Sequence, residues 1–488
     1  MPGPQHAAKA PRRAPRAPAS PDAARLLAWR VLRAVDETDA YANLVLPDLL
    51  RESALDERDR ALVAELAYGT LRATGTLDHV IGLCSSRPLA DIDPPLRDVL
   101  RLGAYQLLRT RIPTHAAVAA TVELARRVSG EGPGSFANAV LRRIAERDGD
   151  LGAPAAGSDP VGHLSITTAH PRWIVEAFRD ALDGDLEEAA VALRADDERP
   201  EVHLVARPGR ITRDALLDAA IAAGLRAEPG PWSPYAVRLG GGDPGQLAAI
   251  RDGRASVQDE GSQLAALLVE AFLPPGEAFV VDACAGPGGK AALIAALLAQ
   301  RGIGDRLLAT ELHPHRTRLT EQAVAGGAPR DAAVDWQVVT ADATTAPWPT
   351  GAADVVLLDA PCTGLGALRR RPEARWRRQP ADVPRLAALQ AALADAALQA
   401  LRPGGHLVYV VCSPHLAEGV DQVRRLLDTR PGEVEAVDVR PHIGAMPAKG
   451  PGPWVQLWPH RQGTDAMFLA AVRRVATLGE SSMTPGEQ

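Results

Sequence analysis

From about residue 254 the chain alternates apolar strand-like runs with helical segments, and no other feature restricts its fold as strongly. FVVDA (279–283), LLATE (307–311), WQVVTAD (336–342), DVVLLDAP (354–361) and HLVYVVCS (406–413) read as five strands. KAALIAALLAQ (290–300) and the segments 313–325 and 386–401 read as helices between them. Strands this continuously apolar have no face to give to water. They require a parallel sheet with helices on both sides, a Rossmann-like α/β arrangement. Ligands of such sheets bind beyond the carboxyl ends of the strands, where strand order reverses. Chemistry is therefore expected on the residues just after each apolar run.

The chain before this point reads differently. Over 23–148 the pattern is purely helical. Leu26, Leu27, Val31 and Leu32 share one face, as do Leu62, Val63, Leu66, Ala67 and Leu71, and later Val99, Leu100, Leu102, Leu107 and Leu108. Ser135 is placed to cap a helix carrying Phe136, Val140, Leu141 and Ile144. Residues 149–165 are rich in Gly, Ala and Pro and read as a linker. A small α/β unit over 166–253 follows, with helices over 171–194 and 213–223 and strands over 202–206 and 236–239. Residues 1–22 set Lys9, Arg12, Arg13 and Arg16 against Asp22 among Pro and Ala, and read as a disordered basic tail. Residues 476–488 read as a second disordered tail.

The composition removes several classes of function. Lys plus Arg is 54 and Asp plus Glu is 60, so a net charge of −6 excludes a basic protein that coats nucleic acid. Four cysteines, Cys84, Cys284, Cys362 and Cys412, are too few for a disulfide scaffold. No apolar run approaches the ~18 residues of a membrane span. No apolar stretch follows the basic tail as in a secretory signal. The expectation is a cytoplasmic protein with reduced thiols and no membrane partner. His313-Pro-His315 has no third ligand beside it, so no metal is expected.

The first strand leads into Asp282-Ala283-Cys284-Ala285-Gly286-Pro287-Gly288-Gly289-Lys290. As a phosphate loop this fails, because cysteine stands at 284 and alanine at 291 where that motif needs glycine and Ser/Thr. Gly286-x-Gly288-x-x-Ala291 satisfies the weaker dinucleotide pattern. Acids close the next strands. Glu311 suits ribose hydroxyls, Asp342 lies where an adenine would sit, and Asp359 closes the fourth strand. One acid at a strand end is more often a helix cap. Four in succession, Asp282 included, favour a ligand rim. The arrangement resembles the S-adenosylmethionine-dependent methyltransferases, with Cys284, Ala285, Gly286, Pro287, Gly288, Gly289, Lys290, Glu311, Asp342 and Asp359 as the cofactor set. A dinucleotide site stays open as the alternative.

Cys362 and Cys412 fall just past the ends of the fourth and fifth strands. A lone cysteine is usually a small buried hydrophobe, which suits Cys84. Two thiols on a ligand rim suit a specific reaction. Cytosine C5 is too weak a nucleophile for a sulfonium methyl until a thiolate adds at C6. A second acid/base group then helps remove the C5 proton and release the thiolate. Asp359 is placed to meet the base edge. The residues alone do not say which cysteine attacks.

DACAGPGGK, ADATTA, DAPCTGLGALRRRPEARW and YVVCS, in that order, resemble the RNA cytosine-5 methyltransferases, and VQDEGSQ (257–263) resembles the segment before their catalytic domain. The resemblance implies Cys412 as nucleophile, Cys362 as the group aiding release, and Lys290 as a contact to the target base. Val411, Gly286 and Ala466-Met467 depart from the family pattern. LGAYQLL (102–108), RIPTHAAV (111–118) and FANAVLR (136–142) resemble the RNA-binding NusB-type domain. Together these are similar to the bacterial 16S ribosomal RNA cytosine-5 methyltransferases of the Fmu/Sun type. The implied fold is a NusB-like all-α domain (23–148), a small RRM-like α/β subdomain (166–253) and a methyltransferase domain (254–475). The implied activity is C5 methylation of a 16S ribosomal RNA cytosine with S-adenosyl-L-methionine by a monomer. Another RNA or DNA as substrate, or a non-catalytic antitermination protein, are the alternatives. Arg369, Arg370, Arg371, Arg375, Arg377 and Arg378, with Trp376 among them, directly follow Cys362 and are expected to contact RNA phosphates.

Overall fold

The computed structural model describes residues 23–475 except 39, 330, 448, 449 and 451. Both tails read as disordered lie outside the described residues. The chain divides into two compact units between Gly152 and Ala153.

Among the described residues the first unit holds six α-helices: Ala23–Thr38, Ala42–Glu52, Glu57–Cys84, Pro94–Arg109, Thr114–Ser129 and Glu131–Glu146. Asp56 starts the longest by accepting from the Asp59 amide, and Val63, Leu66, Leu77, Val80 and Ile81 from it are fully buried. Gly69 is required where the Tyr105 ring lies on the helix, because a Cβ there would overlap the ring. Tyr105 donates to Glu65 at 2.6 Å. Ser135 is not a cap. The last helix starts four residues earlier, and Ser135 Oγ donates back to the Glu131 carbonyl inside it.

In the second unit, a capped helix, Pro160–Thr167, begins in the segment read as linker and runs two residues past it, with Asp159 accepting from the Gly162 amide. The single helix expected over 171–194 is two, Arg172–Ala181 and Leu186–Asp197, separated where Asp183 and Gly184 take positive φ. Then comes an antiparallel sheet of β1 (Val202–Ala206), β2 (Ala227–Pro229), β3 (Ala236–Leu239) and β4 (Ala255–Val257), in the order β2-β3-β1-β4. Leu216 and Ala220 of the helix Arg213–Ala222 pack on its face. The strand β4 lies past residue 253, so this sheet extends into the segment read as the next domain.

The larger sheet holds β5 (Phe279–Asp282), β6 (Asp305–Glu311), β7 (Val334–Thr340), β8 (Ala353–Asp359), β9 (Leu401–Val411), β10 (Val434–Val437), β11 (Val455–Gln456) and β12 (Phe468–Arg474). Its order is β10-β12-β9-β8-β5-β6-β7, with β11 on β12. The five strands read from sequence are parallel, but β12 enters antiparallel beside β9 and makes the sheet mixed. Side chains alternate between two cores. Val280, Val355, Leu357, Val408 and Val410 face the helices Glu260–Ala271 and Gly289–Arg301. Val281, Val356, Leu358, Leu407 and Val411 face the helices Asp382–Ala400 and Val420–Thr429. From β5 the chain winds outward through β6 and β7, then crosses back to β8 and β9. The switch point is thus between β5 and β8, where Asp282 pairs in register with Leu357 and Asp359 extends two residues beyond.

Candidate active site

The loop after β5 is shaped by two glycines. At Gly288, with φ +104°, a Cβ would lie 2.8 Å from Thr320 Cα and Ala323 Cβ. At Gly286 a Cβ would run into the Glu311 carboxylate. The loop therefore lies directly on the end of β6. Arg316, which the sequence reading missed, donates to the Gly286 carbonyl at 2.6 Å and stands 3.5 Å from Glu311. The sequence signal for it is faint: an arginine five residues past a strand-end acid.

The predicted acids divide. Asp282, Glu311 and Asp359 lie close enough for each of the other two to act on Asp282. Asp282 is fully buried, and among the described residues its carboxylate meets no side-chain donor, only the backbone of Cys284. Burial, followed by the charge of Asp359, pushes its carboxyl up to about 7. Asp342 stays exposed and caps the turn 343–345, accepting from the Thr344 amide at 2.9 Å and its hydroxyl at 2.7 Å. A buried carboxylate with no side-chain donor beside a glycine cradle fits a cationic sulfonium nucleoside. A pyrophosphate would face the same acids as like charges, which disfavours the dinucleotide alternative.

Lys290 is brought to Asp359, with Nζ 2.7 Å from Oδ2. Burial pulls the ammonium down, but the Asp359 charge and hydrogen bond outweigh it and Lys290 stays raised. Cys362 and Cys412 also meet, Sγ to Sγ at 3.4 Å. The hydrogen bond from Cys362 lowers Cys412, against burial and Asp359 and with help from Lys290 and Arg371. Cys362 is held high by that same bond, by burial and by Cys412 and Glu418. The site thus makes Cys412 the more readily ionised of the two thiols. Cys284 is pushed up by burial and by Asp282, Asp359 and Glu311.

Several residues that fix this geometry carried no sequence signal. Glu418 has no exposed surface and accepts from the Thr363 amide at 2.7 Å and from the Thr363 hydroxyl. Gln390 donates to the Pro361 carbonyl at 2.9 Å. Gly366 donates to the Cys412 carbonyl at 2.9 Å and accepts from the Ala466 amide at 2.9 Å. A Cβ on Gly366 would overlap the Ala466 carbonyl. These contacts press the Cys362 loop onto the end of β9.

The arginine run is corrected. Arg369 is 6% exposed, and its Nε lies 2.9 Å from Asp465. Arg370 donates to Asp465 at 2.9 Å and to Asp259 at 2.8 Å. Arg375 is 0% exposed and binds Asp197 at 2.6 Å and the Asp196 carbonyl at 2.9 Å. Arg369 and Arg375 are buried, Arg370 is half-buried, and all three are paired, so they tie the domain together instead of facing a phosphate. Arg371 is exposed, and Arg377 and Arg378 are half-buried, with Arg378 donating to the Thr363 carbonyl at 3.0 Å. Asp259, inside VQDEGSQ, is the hub of this network. Nearby, His203 of β1 accepts from the Glu260 amide at 3.2 Å. Burial lowers His203 to about 4, in keeping with that neutral acceptor role.

A switch-point glycine loop with strand-end acids and no phosphate-loop serine defines the S-adenosylmethionine-dependent methyltransferase class. Comparison with known proteins narrows it. The family model "16S rRNA methyltransferase RsmB/F" matches residues 270–473, and the NusB family model matches 22–146. "Putative methyltransferase Rv1407" of Mycobacterium tuberculosis is 51% identical over 461 residues, covering 93% of this chain and 97% of the relative. Ribosomal RNA small subunit methyltransferase B of Pseudomonas putida is 35% identical over 456 residues, covering 93% and 98%. Among solved structures, PH0851 superposes with a TM-score of 0.76 at 20% identity, covering 93% of this chain and 99% of that one. This chain belongs to the RsmB/F family of 16S rRNA methyltransferases, with a NusB-like domain ahead of a Rossmann-like one. S-adenosylmethionine is the methyl donor of that family.

Proposed function

We propose that the protein methylates C5 of a specific cytosine in 16S ribosomal RNA through a covalent adduct on Cys412. The carrying observation is the pair of thiols 3.4 Å apart beside the 2.7 Å Lys290–Asp359 pair. Bound S-adenosylmethionine supplies an electrophilic methyl group. Asp282, Glu311, Asp342 and the loop from Cys284 to Lys290 are its proposed holders.

The chain's own residues do the remaining work. Cys412, kept toward the thiolate, adds to C6 and makes C5 nucleophilic. Asp359 meets the base edge, and Lys290 supplies the positive charge that relieves the ring near N3. Cys362, once its own proton has passed to water, accepts the C5 proton, and the electrons of that C–H bond form the C5–C6 double bond as the Cys412 sulfur leaves C6. Arg371, Arg377 and Arg378 are the proposed phosphate contacts.

The test uses a 16S ribosomal RNA transcript and labelled methyl donor. Cys362→Ala should accumulate a covalent protein–RNA adduct that resists denaturing electrophoresis. Cys412→Ala should give neither adduct nor product, and an adduct on that variant would overturn the assignment. Bisulfite sequencing of ribosomal RNA from a deletion strain should show one protected cytosine lost; an unchanged pattern refutes the 16S substrate.

A further inference from the structure

The contact between Cys362 and Cys412 permits a second chemistry that involves no nucleic acid. β8 and β9 are parallel neighbours, with Asp359 level with Val410. Cys362 lies three residues past the first of these and Cys412 two past the second, so the strand pairing itself delivers the two sulfurs to one place. From 3.4 Å, a closure of about 1.4 Å reaches the ~2.05 Å of a sulfur–sulfur bond. Both residues keep partial exposure, so a small oxidant can reach them. The Cys362 side is a loop and not a strand, held by Glu418, Gln390 and Gly366 through its backbone and the Thr363 side chain. None of those bonds uses the Cys362 side chain.

We propose that Cys362 and Cys412 form a reversible redox modification site that closes to a disulfide on exposure to a peroxide. The Cys412 thiolate attacks one oxygen of hydrogen peroxide. An S–O bond forms, the O–O bond breaks, and hydroxide leaves with the electron pair. Cys412 becomes a sulfenic acid, oxidised by two electrons, while the peroxide is reduced by the same two. The Cys362 sulfur then attacks the Cys412 sulfur as its proton passes to the departing hydroxide. The S–S bond forms, the S–O bond breaks, and water leaves. In sum, two thiols and one hydrogen peroxide give one disulfide and two waters.

The selectivity follows from the surroundings. Cys412 has the partner that favours its thiolate, the form that reacts. Cys284 sits among Asp282, Asp359 and Glu311, which hold it as an unreactive thiol. Cys84 is buried in its helix. Cys362 also protects its neighbour. By capturing the sulfenic acid at once it prevents the irreversible step to sulfinic acid. The consequence for activity rests on the roles proposed above. One bond removes both the nucleophile and the releasing group, so methyl transfer stops and a dithiol reductant restores it.

The experiment treats the reduced full-length protein with hydrogen peroxide, alkylates the remaining thiols and maps peptides without reduction. A Cys362–Cys412 cross-link about 2 Da lighter than the two thiol peptides is expected, with Cys84 and Cys284 alkylated. Methyl transfer should fall at least roughly tenfold and return with dithiothreitol. Without the neighbouring thiol, Cys412 in Cys362→Ala should gain about 32 Da as sulfinic acid, and dithiothreitol should not reverse it. Sulfinic acid on Cys412 of the natural chain with Cys362 still alkylated would overturn the proposal. So would a full set of unreacted thiols. A cross-link that leaves methyl transfer undiminished would uphold the redox site and overturn the catalytic roles of the two cysteines.

Discussion

Replacing Arg375 with methionine should unfold the protein more easily without first weakening RNA binding, although its neighbour Arg371 should behave the opposite way. Arg375 has no exposed surface, and its guanidinium binds Asp197 at 2.6 Å and the Asp196 carbonyl at 2.9 Å. Removing one partner of a buried ion pair costs about 3–5 kcal/mol. The Asp197 side chain is 29% exposed, so water recovers part of that cost. The lower end, about 3 kcal/mol, is expected, which for a unit of this size corresponds to a melting temperature lower by roughly 4 °C. Arg371→Ala removes an exposed charge and should leave the melting temperature within about a degree or two of the parent. It should weaken RNA binding and lessen its dependence on salt by about one ion. Thermal denaturation and filter binding at several salt concentrations read both effects. An Arg375→Met protein that melts like the parent but binds RNA poorly would refute this division of the arginine run.

Three further outcomes follow from the same geometry. Asp282 carries a raised carboxyl, so between the unfolded value near 4 and about 7 the folded chain binds more protons than the unfolded one. Its contribution therefore lowers stability as pH rises through that window, by on the order of 1.4 kcal/mol per pH unit, and levels off above it. Asp282→Asn should flatten that slope in denaturant titrations; an unchanged slope would remove Asp282 as its source. Glu418→Gln weakens the two bonds to Thr363, and single-turnover assays should show product release slowed more than adduct formation, with equal slowing of both counting against a role through Cys362. Gly366→Ala drives a Cβ into the Ala466 carbonyl, and overpacking of about 1–3 kcal/mol should appear as a lower melting temperature together with loss of adduct formation. A stable, active Gly366→Ala protein would show that the Cys362 loop has room to shift.

The parallel strands were legible because each is apolar on both faces, and the rim residues because they follow directly after those strands. β12 was not legible. FLAAVRR is a short apolar run behind turns and loops, and its place beside β9 depends on pairing with Val411 through His406. The helix break at Asp183-Gly184 was also hidden, since an apolar helical pattern continues on either side.

Among the site residues, Cys362 stands against Cys412 and Lys290 against Asp359 in the structure, but the distances between them were not in the sequence. The arginine run shows the limit most clearly. Six arginines in ten residues look alike as letters. Their carboxylate partners, Asp197, Asp259 and Asp465, lie between 95 and 178 residues away along the chain.

Sequence by itself determined the class of fold, the glycine loop and the set of chemical groups available, because local apolar runs and turn residues act over a few residues. Tertiary structure alone decided which thiol faces a cation, which arginines are buried in ion pairs, and that Glu418 and Gly366 hold the Cys362 loop. Those outcomes depend on burial and on charges brought together from distant segments, and burial is a property that no single residue carries before the chain has folded.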